Sequence, residues 1–422
     1  MGMTMAQKIL AAHAGRDRVE VGDVVVCEVD RVVQLDISAV QGARIKRVAD
    51  PARVSVIFDH TVPAPVVADA IAHQGVREFV REFGIEDVYD VGDHGICHQV
   101  ILERGLALPG NVLACADSHT IASGVFNCAA RGLGPLEIAQ IICTGRTWYR
   151  VSPTVKVTLT GAPGPAVFGK DVFLHLAGEH GSAEGHDVEF GGSGLRHLSL
   201  DDRATLATMC AEISANFALF PADELILEHL RGVGRSDLDP VESDADAEYA
   251  AQRTIALDEL VPYVAKPDFV PGNTLPVGEL GGPVRVDQAF IGSCANGKLE
   301  DLRIAAGILD GQRVHRDVRL IVTPASQRVY LEAVRQGYVE TLVAAGAVVT
   351  NSTCGACYGG HMGVVAPGEV CVTSSTRNFK GRMGSAEAEI YIGSSATVAA
   401  AALEGAIVDP TEHLMRAGVG RA

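Results

Sequence analysis

The sequence predicts an α/β fold, with parallel sheets covered by helices on both faces. Three observations carry this. Short β-branched runs alternate with stretches of helical spacing along most of the chain. The composition is 47% hydrophobic but only 5% aromatic, with 46 Gly in 422 residues, which suits many tight strand–helix turns. Three times, charged and His residues stand where a strand ends, the edge at which open α/β sheets bind ligands.

Taken in order, Met5 to Gly15 reads as a short helix stopped by glycine. Val24–Val33 is rich in β-branched residues and reads as one strand. Arg53–Phe58 is a second strand and ends on Asp59-His60; Val66 to Phe83 has helical spacing. Glu86–Val91 is a strand that runs into Gly92-Asp-His94-Gly-Ile-Cys-His98, and Val112–Ala116 runs into Asp117-Ser118-His119-Thr120. A boundary near Tyr149–Pro153 precedes a strand, Thr154–Leu159, and a helix, Asp171–Gly178. Leu198 to Leu219 reads as one longer helix carrying Glu212, and the acidic stretch Leu238–Ala250 lacks apolar periodicity and reads as a surface loop. Gly and Pro between Leu275 and Val286 mark a second boundary. Beyond it come strands at Gln288–Ile291, Val318–Pro324 and Ala347–Thr350, and helices at Leu299–Leu309, Gln327–Gln336 and Ala396–Glu404. The expected division is into three α/β domains at 1–150, 151–286 and 287–422.

Charge and hydropathy exclude several classes. A net charge of −17 argues against a broad nucleic-acid or acidic-membrane surface. No apolar run approaches a bilayer span, and Met1 to Glu20 has no signal-peptide core, so the expectation is a cytoplasmic protein with neither membrane nor nucleic acid as partner. An anionic substrate stays open, because a few local arginines can outweigh a distant negative surface.

The ten cysteines divide into two kinds. Cys27, Cys97, Cys115, Cys128, Cys143, Cys210 and Cys371 sit singly, mostly in apolar surroundings, and read as small buried hydrophobes. Cys354 and Cys357 are three apart among small residues, in Asn351-Ser-Thr-Cys354-Gly-Ala-Cys357-Tyr-Gly-Gly-His361, and Cys294 stands upstream in Ile291-Gly-Ser-Cys294-Ala-Asn296. Three thiolates suit a [4Fe–4S] cluster with one iron left open to act as a Lewis acid. A structural zinc site is the other reading; it needs a fourth ligand, for which His361 is the nearest candidate. Asp59-His60 and Asp117-His119 pair a carboxylate with an imidazole, as general acid–base work needs, and His98 follows a glycine turn in the same half. Glu212 is an acid among apolar neighbours. Arg377 and Arg382, in Ser375-Thr-Arg377-Asn-Phe-Lys-Gly-Arg382, fit bidentate capture of a carboxylate.

Together, Asp59-His60, Gly95-Ile-Cys-His98-Gln99, Asp117-Ser-His119-Thr120, Gly292-Ser-Cys294-Ala-Asn296, Cys354-Gly-Ala-Cys357 and Arg377-Asn-Phe-Lys-Gly-Arg382 resemble the aconitase family, in order and over nearly the whole chain. With Gly359-Gly-His-Met-Gly-Val-Val-Ala-Pro-Gly-Glu369, the likeness is greatest to its isopropylmalate dehydratase and homoaconitase branch. The resemblance implies three α/β/α domains around a [4Fe–4S] cluster, one per subunit, and loss and re-addition of water on a hydroxy-di- or tricarboxylate. It implies Cys294, Cys354 and Cys357 as ligands, and His60, supported by Asp59, as the acid that protonates the departing hydroxyl. It implies that Asp117 with His119, and His98 with Glu212, steer water and its hydrogen bonds, and that Ser118, Arg377 and Arg382 hold substrate carboxylates. The family's swivelling fourth domain, with its serine base, is not found in this sequence. By resemblance it is a separate small subunit, the expected partner.

Four places depart from the family pattern. Gln34-Leu35-Asp36-Ile37-Ser38-Ala39-Val40 stands where the branch has Thr-His-Asp-Gly-Thr-Gly-Pro, so a polar site residue becomes Leu35. Thr208 and Thr376 stand where the family has Asn, and Gly297 where it has Ser or Thr. A hydroxyl lacks the paired donor and acceptor of an amide. These positions keep open a homoaconitase-like or specialised enzyme acting on another substituted malate or citrate-like acid, and a non-catalytic iron–sulfur paralogue.

Overall fold

The computed structural model describes residues 2–37 and 45–420. Packing divides the chain into two compact units that interleave along the sequence. The first takes Met1–Thr160, Ala183–Arg196 and Ser214–Ile255; the second takes Gly161–Ser182, His197–Ile213 and Ala256–Ala422. Helix and strand alternate throughout, as an α/β fold requires.

In the first unit five strands lie side by side in the order Asp87–Tyr89, Val54–Ile57, Arg31–Leu35, Val112–Cys115, Ala129–Gly132, all parallel. Val54–Ile57 and Val112–Cys115 are buried at every position, as strands covered on both faces are. Val32, Val54, Val56, Val112 and Ala114 pack with Ile9, Val76 and Ile138 of flanking helices in one core. Each of these Val and Ile side chains, fully buried, contributes about 1.5–3 kcal/mol. The segment 24–33, expected as one strand, is two strands in different sheets. Val24–Glu28 pairs antiparallel with Arg146–Arg150, while Arg31–Leu35 joins the parallel sheet. The break falls at Asp30, whose carboxylate is held by His13 Nε2 and the Val112 N–H, each at 2.7 Å. A second sheet orders Ala218–Leu219, Asp187–Gly191, Thr154–Thr160 and Ala251–Ala256.

The second unit is built on seven strands, ordered Thr274–Pro276, Tyr263–Ala265, Glu389–Gly393, Val370–Thr373, Gln288–Ile291, Arg319–Val322, Val348–Val349. The last five are parallel. The first two precede residue 286 in sequence and still belong to this sheet, so the sheet begins before the expected boundary. Alternate side chains along these strands face opposite ways. Ala289, Ile291, Leu320, Val322 and Val372 pack on Leu302, Ala305, Val398 and Ala399 of helices Leu299–Leu309 and Ser395–Glu404. Phe290, Ile321, Cys371 and Ile390 pack on Ala356, Cys357 and Met383, with Cys354 against them.

The long helix expected from Leu198 to Leu219 is shorter. Ser199 caps it through the Asp202 N–H, it runs over Leu200–Met209, and a 3-10 turn at Cys210–Ile213 ends it. Ser214 then takes φ +62°, a left-handed conformation no helix continues through, and Ala218–Leu219 is strand. Among the described residues no helix is long and apolar enough to cross a membrane.

Candidate active site

Three neighbouring parallel strands of the first unit each end on an acid. Arg31–Leu35 delivers Asp36, Val54–Ile57 leads to Asp59 and His60, and Val112–Cys115 leads to Asp117 and His119. Helix Cys97–Arg104 brings His98. The carboxylates surround His60: its Nδ1 lies 3.6 Å from Asp59 Oδ2 and 3.9 Å from Asp36 Oδ1, and its Nε2 lies 3.7 Å from Asp117 Oδ2. His98 Nε2 donates to Asp117 Oδ1 at 2.7 Å, and the His119 N–H donates to the same oxygen at 2.7 Å. Asp59 accepts the Cys97 N–H at 2.9 Å. Ser118 is exposed, unlike its neighbour His119.

Environment drives the Asp59 and Asp117 carboxyls in opposite directions. Burial pushes the Asp59 carboxyl up, with the nearby His60 only partly opposing it. Burial also pushes on Asp117, but His98 and His119 outweigh it and hold that carboxyl well below the ordinary range. Of these two, Asp117 is thus the fixed anion. Close backbone approach keeps it in place: a Cβ on Gly132 would stand 2.3 Å from the Asp117 carbonyl oxygen.

Asp36 is a site residue that sequence reasoning did not name. Its fully buried carboxylate accepts the His60 and Thr61 N–H groups at 3.1 and 3.0 Å and the Thr61 hydroxyl at 3.2 Å. Burial presses this carboxyl upward, yet its bond from His73 and the charge of His60 hold it below its usual value. The available signal was its place directly after a short apolar strand, the same place Asp59 and Asp117 occupy. Asp36→Asn leaves one oxygen to serve several donors. The expected loss is about 1–3 kcal/mol of stability in urea unfolding, with a fall in turnover as His60 loses its support.

In the second unit the candidate side chains again follow parallel strands. Cys294 sits on the turn Ser293–Asn296 after Gln288–Ile291, and Ser293 enters it at φ +82°. Cys354 and Cys357 follow Val348–Val349, with the Cys357 N–H donating to the Cys354 carbonyl at 2.9 Å. Arg377 follows Val370–Thr373, the strand beside Gln288–Ile291. Arg377 Nε donates to Glu212 Oε1 at 2.8 Å, so within this unit Glu212 orients an arginine. Arg382 Nη2 reaches Cys357 Sγ at 4.0 Å. Burial pushes the Arg382 guanidinium down, but Cys357 and Cys354 outweigh it and raise its hold on the proton.

The aconitase family profile (aconitate hydratase) matches residues 3–282 and 278–405. The chain belongs to the aconitase family. Among curated relatives, "3-isopropylmalate dehydratase large subunit" of Mycolicibacterium smegmatis is 55% identical over 410 residues, covering 97% of each chain. "3-isopropylmalate dehydratase large subunit 1" of Methanopyrus kandleri is 45% identical over 98% of this chain and all of its own, 100%. "3-isopropylmalate dehydratase large subunit" of Acetivibrio thermocellus is 41% identical over 98% and 100%.

Aconitase-family enzymes use iron–sulfur chemistry, and the residues present here fit such a group. The donors are three thiols with a guanidinium beside one of them, the setting that favours thiolate. The loops bearing them also hold buried polar atoms without hydrogen-bond partners: Asn296 Oδ1, Ser352 Oγ, Ser375 Oγ, Thr376 Oγ1 and Arg382 Nε. Among the described residues no three His, Cys, Asp or Glu side chains converge on a single metal ion. A cluster does not ask for that, because its ligands bind different irons.

The departures from the family pattern have local explanations. The Thr208 hydroxyl donates to the Ala204 carbonyl one turn back at 2.6 Å and is spent there. Thr376 is fully buried with its hydroxyl unpartnered. A Cβ at Gly297 would stand 2.8 Å from the Thr323 carbonyl oxygen, so glycine fits this backbone. Leu35 is wholly buried, and Gln34 beside it donates to the Leu35 carbonyl at 2.8 Å. Ser38, Ala39 and Val40 lie outside the described residues.

Proposed function

We propose that this chain is the large subunit of a 3-isopropylmalate dehydratase, interconverting 2- and 3-isopropylmalate by loss and re-addition of water. One observation carries the reading: near-full-length identity of 55% to a relative so named, with the cysteines, arginines and Asp/His pairs of the family motifs in place and Leu35 the one histidine position that departs. The same names supply the partner, a small subunit; we assign to it the swivelling domain and the serine that takes the carbon-bound proton. None of the ten cysteines forms a disulfide, which suits a reducing compartment, and we assign the chain to the cytoplasm.

Cys294, Cys354 and Cys357 would hold one [4Fe–4S] cluster, which supplies a Lewis acid for the substrate hydroxyl. His60 gives its proton to the departing hydroxyl. Carboxylates lie near both of its ring nitrogens, and Asp36 fixes its backbone. Asp117 stays ionised and aligns His98 and His119 for the water that leaves and returns. Arg377, oriented by Glu212, and Arg382 bind substrate carboxylates, with Ser118 adding a hydroxyl.

The test uses the chain purified without oxygen together with its small subunit. Alkene absorbance is followed with isopropylmalate, homocitrate, citrate, citramalate and dimethylmalate in turn. Isopropylmalate is expected to exceed each of the others in kcat/KM by at least about tenfold, the low end of what one methylene achieves in an apolar pocket. Silence with isopropylmalate alongside turnover of another acid would overturn the substrate assignment.

A further inference from the structure

Lys170 is wholly buried at the start of helix Gly169–His180. An ammonium carries three N–H donors, and Lys170 Nζ has three acceptors: the Ser375 carbonyl at 2.8 Å, the Ser374 carbonyl at 3.0 Å and Met209 Sδ at 3.2 Å. All three acceptors are uncharged, so they satisfy its hydrogen bonds without cancelling its charge. The second buried lysine of this unit, Lys298, differs: it donates to the Thr205 hydroxyl at 3.1 Å, and its charge acts on the carboxyls of Asp301 and Asp201. Ser374, whose carbonyl Lys170 holds, ties it to the cysteine turn: its hydroxyl accepts the Gly292 N–H at 3.2 Å and donates to the Asn296 carbonyl at 3.2 Å, on either side of Cys294. Burial lowers the Lys170 ammonium to about 7, and the largest attraction opposing this comes from Cys294, ahead of Asp301, with Cys357 adding to it. A dry, uncompensated ammonium is expensive to fold around. Its tether and its charge both point at the residues that follow the central strands: Ser374 and Ser375 lead directly into Arg377, and Cys294 and Cys357 are proposed ligands.

We infer that Lys170 is a positioning residue whose positive charge beside the Cys294 turn sets the reduction potential of the iron–sulfur group, while its hydrogen bonds hold the turn that carries Arg377. This rests on the cluster assignment made above. One-electron reduction adds negative charge to an already anionic group, and a buried cation nearby stabilises that state. Removing the cation makes reduction harder.

Lys170→Gln separates the two roles, because its amide still donates to the carbonyls but carries no charge. The large subunit, reconstituted with iron and sulfide and paired with its small subunit, is titrated anaerobically with dithionite and followed by electron paramagnetic resonance. At a given ambient potential the oxidised-to-reduced ratio should rise about tenfold in Lys170→Gln, which is about 59 mV for one electron. Lys170→Arg, which keeps the charge, should stay within about threefold of the parent on the same scale. A fully loaded Lys170→Gln protein with an unchanged potential overturns the inference. Should Lys170→Gln fail to fold, Lys170→Arg decides: a tenfold shift, or loss of the cluster from a folded protein, shows that shape rather than charge is required. A parent protein that takes up no iron or sulfide refutes the cluster assignment itself, a separate failure visible before any variant is made.

Discussion

Cys357→Ser is expected to leave almost no bound iron or inorganic sulfide and to lower turnover by at least about 10³-fold. A serine hydroxyl does not ionise near neutral pH, whereas iron–sulfur groups are held by thiolates. The Lewis acid so lost is worth several kcal/mol, and each 1.36 kcal/mol is about a decade in rate. The fold should survive. Cys357 packs at the edge of a small core with Ala356, Met383 and Phe290, and an oxygen in place of its sulfur removes little volume. Far-ultraviolet circular dichroism of the two apoproteins should therefore coincide. Cys371 supplies the control. It lies in the same core, fully buried, and burial pushes its thiol up to about 12, so it is a packing residue with no thiolate to offer. Cys371→Ser should cost about 1–3 kcal/mol of stability for burying a hydroxyl and keep its iron, sulfide and colour. Full activity in Cys357→Ser, or equal loss of iron from both variants, would refute the ligand assignment.

How much of this was legible in the sequence depended on whether the signal was local. Asp59-His60 and Asp117-His119 stood out because a short apolar strand followed by an acid is readable in one dimension. Asp36 obeys the same rule, but Leu35 beside it drew attention to a departure from a family pattern and away from the strand it ends. The reading of the seven isolated cysteines as small buried hydrophobes holds for all but Cys143. The helix after Ser199 was overextended because the apolar spacing persists to Leu219, while the stop is Ser214 at φ +62°, and serine carries no such signal. Lys170 was invisible for a different reason. A lysine at the start of an amphipathic segment normally places its head in water, and only tertiary packing shows that this one ends on two backbone carbonyls. The interleaving of the two units was likewise hidden. Helix Gly169–His180 packs with strands Tyr263–Ala265 and Thr274–Pro276, and helix Leu200–Met209 with the turn Ser293–Asn296, all many tens of positions later, and no sequence window spans that distance.

Asp117→Asn should cost about 10²–10⁴ in kcat/KM, the usual share of a positioned acid–base network, and should reveal itself separately in stability against pH. Asp117 Oδ1 accepts from both His98 Nε2 and the His119 N–H, and an amide in its place loses the charge that strengthens both bonds. The folded protein holds this carboxyl well below its unfolded value. A depressed carboxyl contributes stability that is fully present above the unfolded pKa, about 3.9, and is lost as pH falls through the folded pKa. The gap in unfolding free energy between parent and Asp117→Asn should therefore be widest near neutrality and close in acid. Asp59→Asn should behave with the opposite sign. Burial raises that carboxyl in the folded protein, so its contribution is present below about 3.9 and is lost as pH rises through the folded value. Replacing it with a neutral amide, which can still accept the Cys97 N–H, should become less costly as pH rises. Urea unfolding of the three proteins across pH 3 to 8 tests the pair, and gaps that run parallel with pH would show that the two carboxyls are not driven apart.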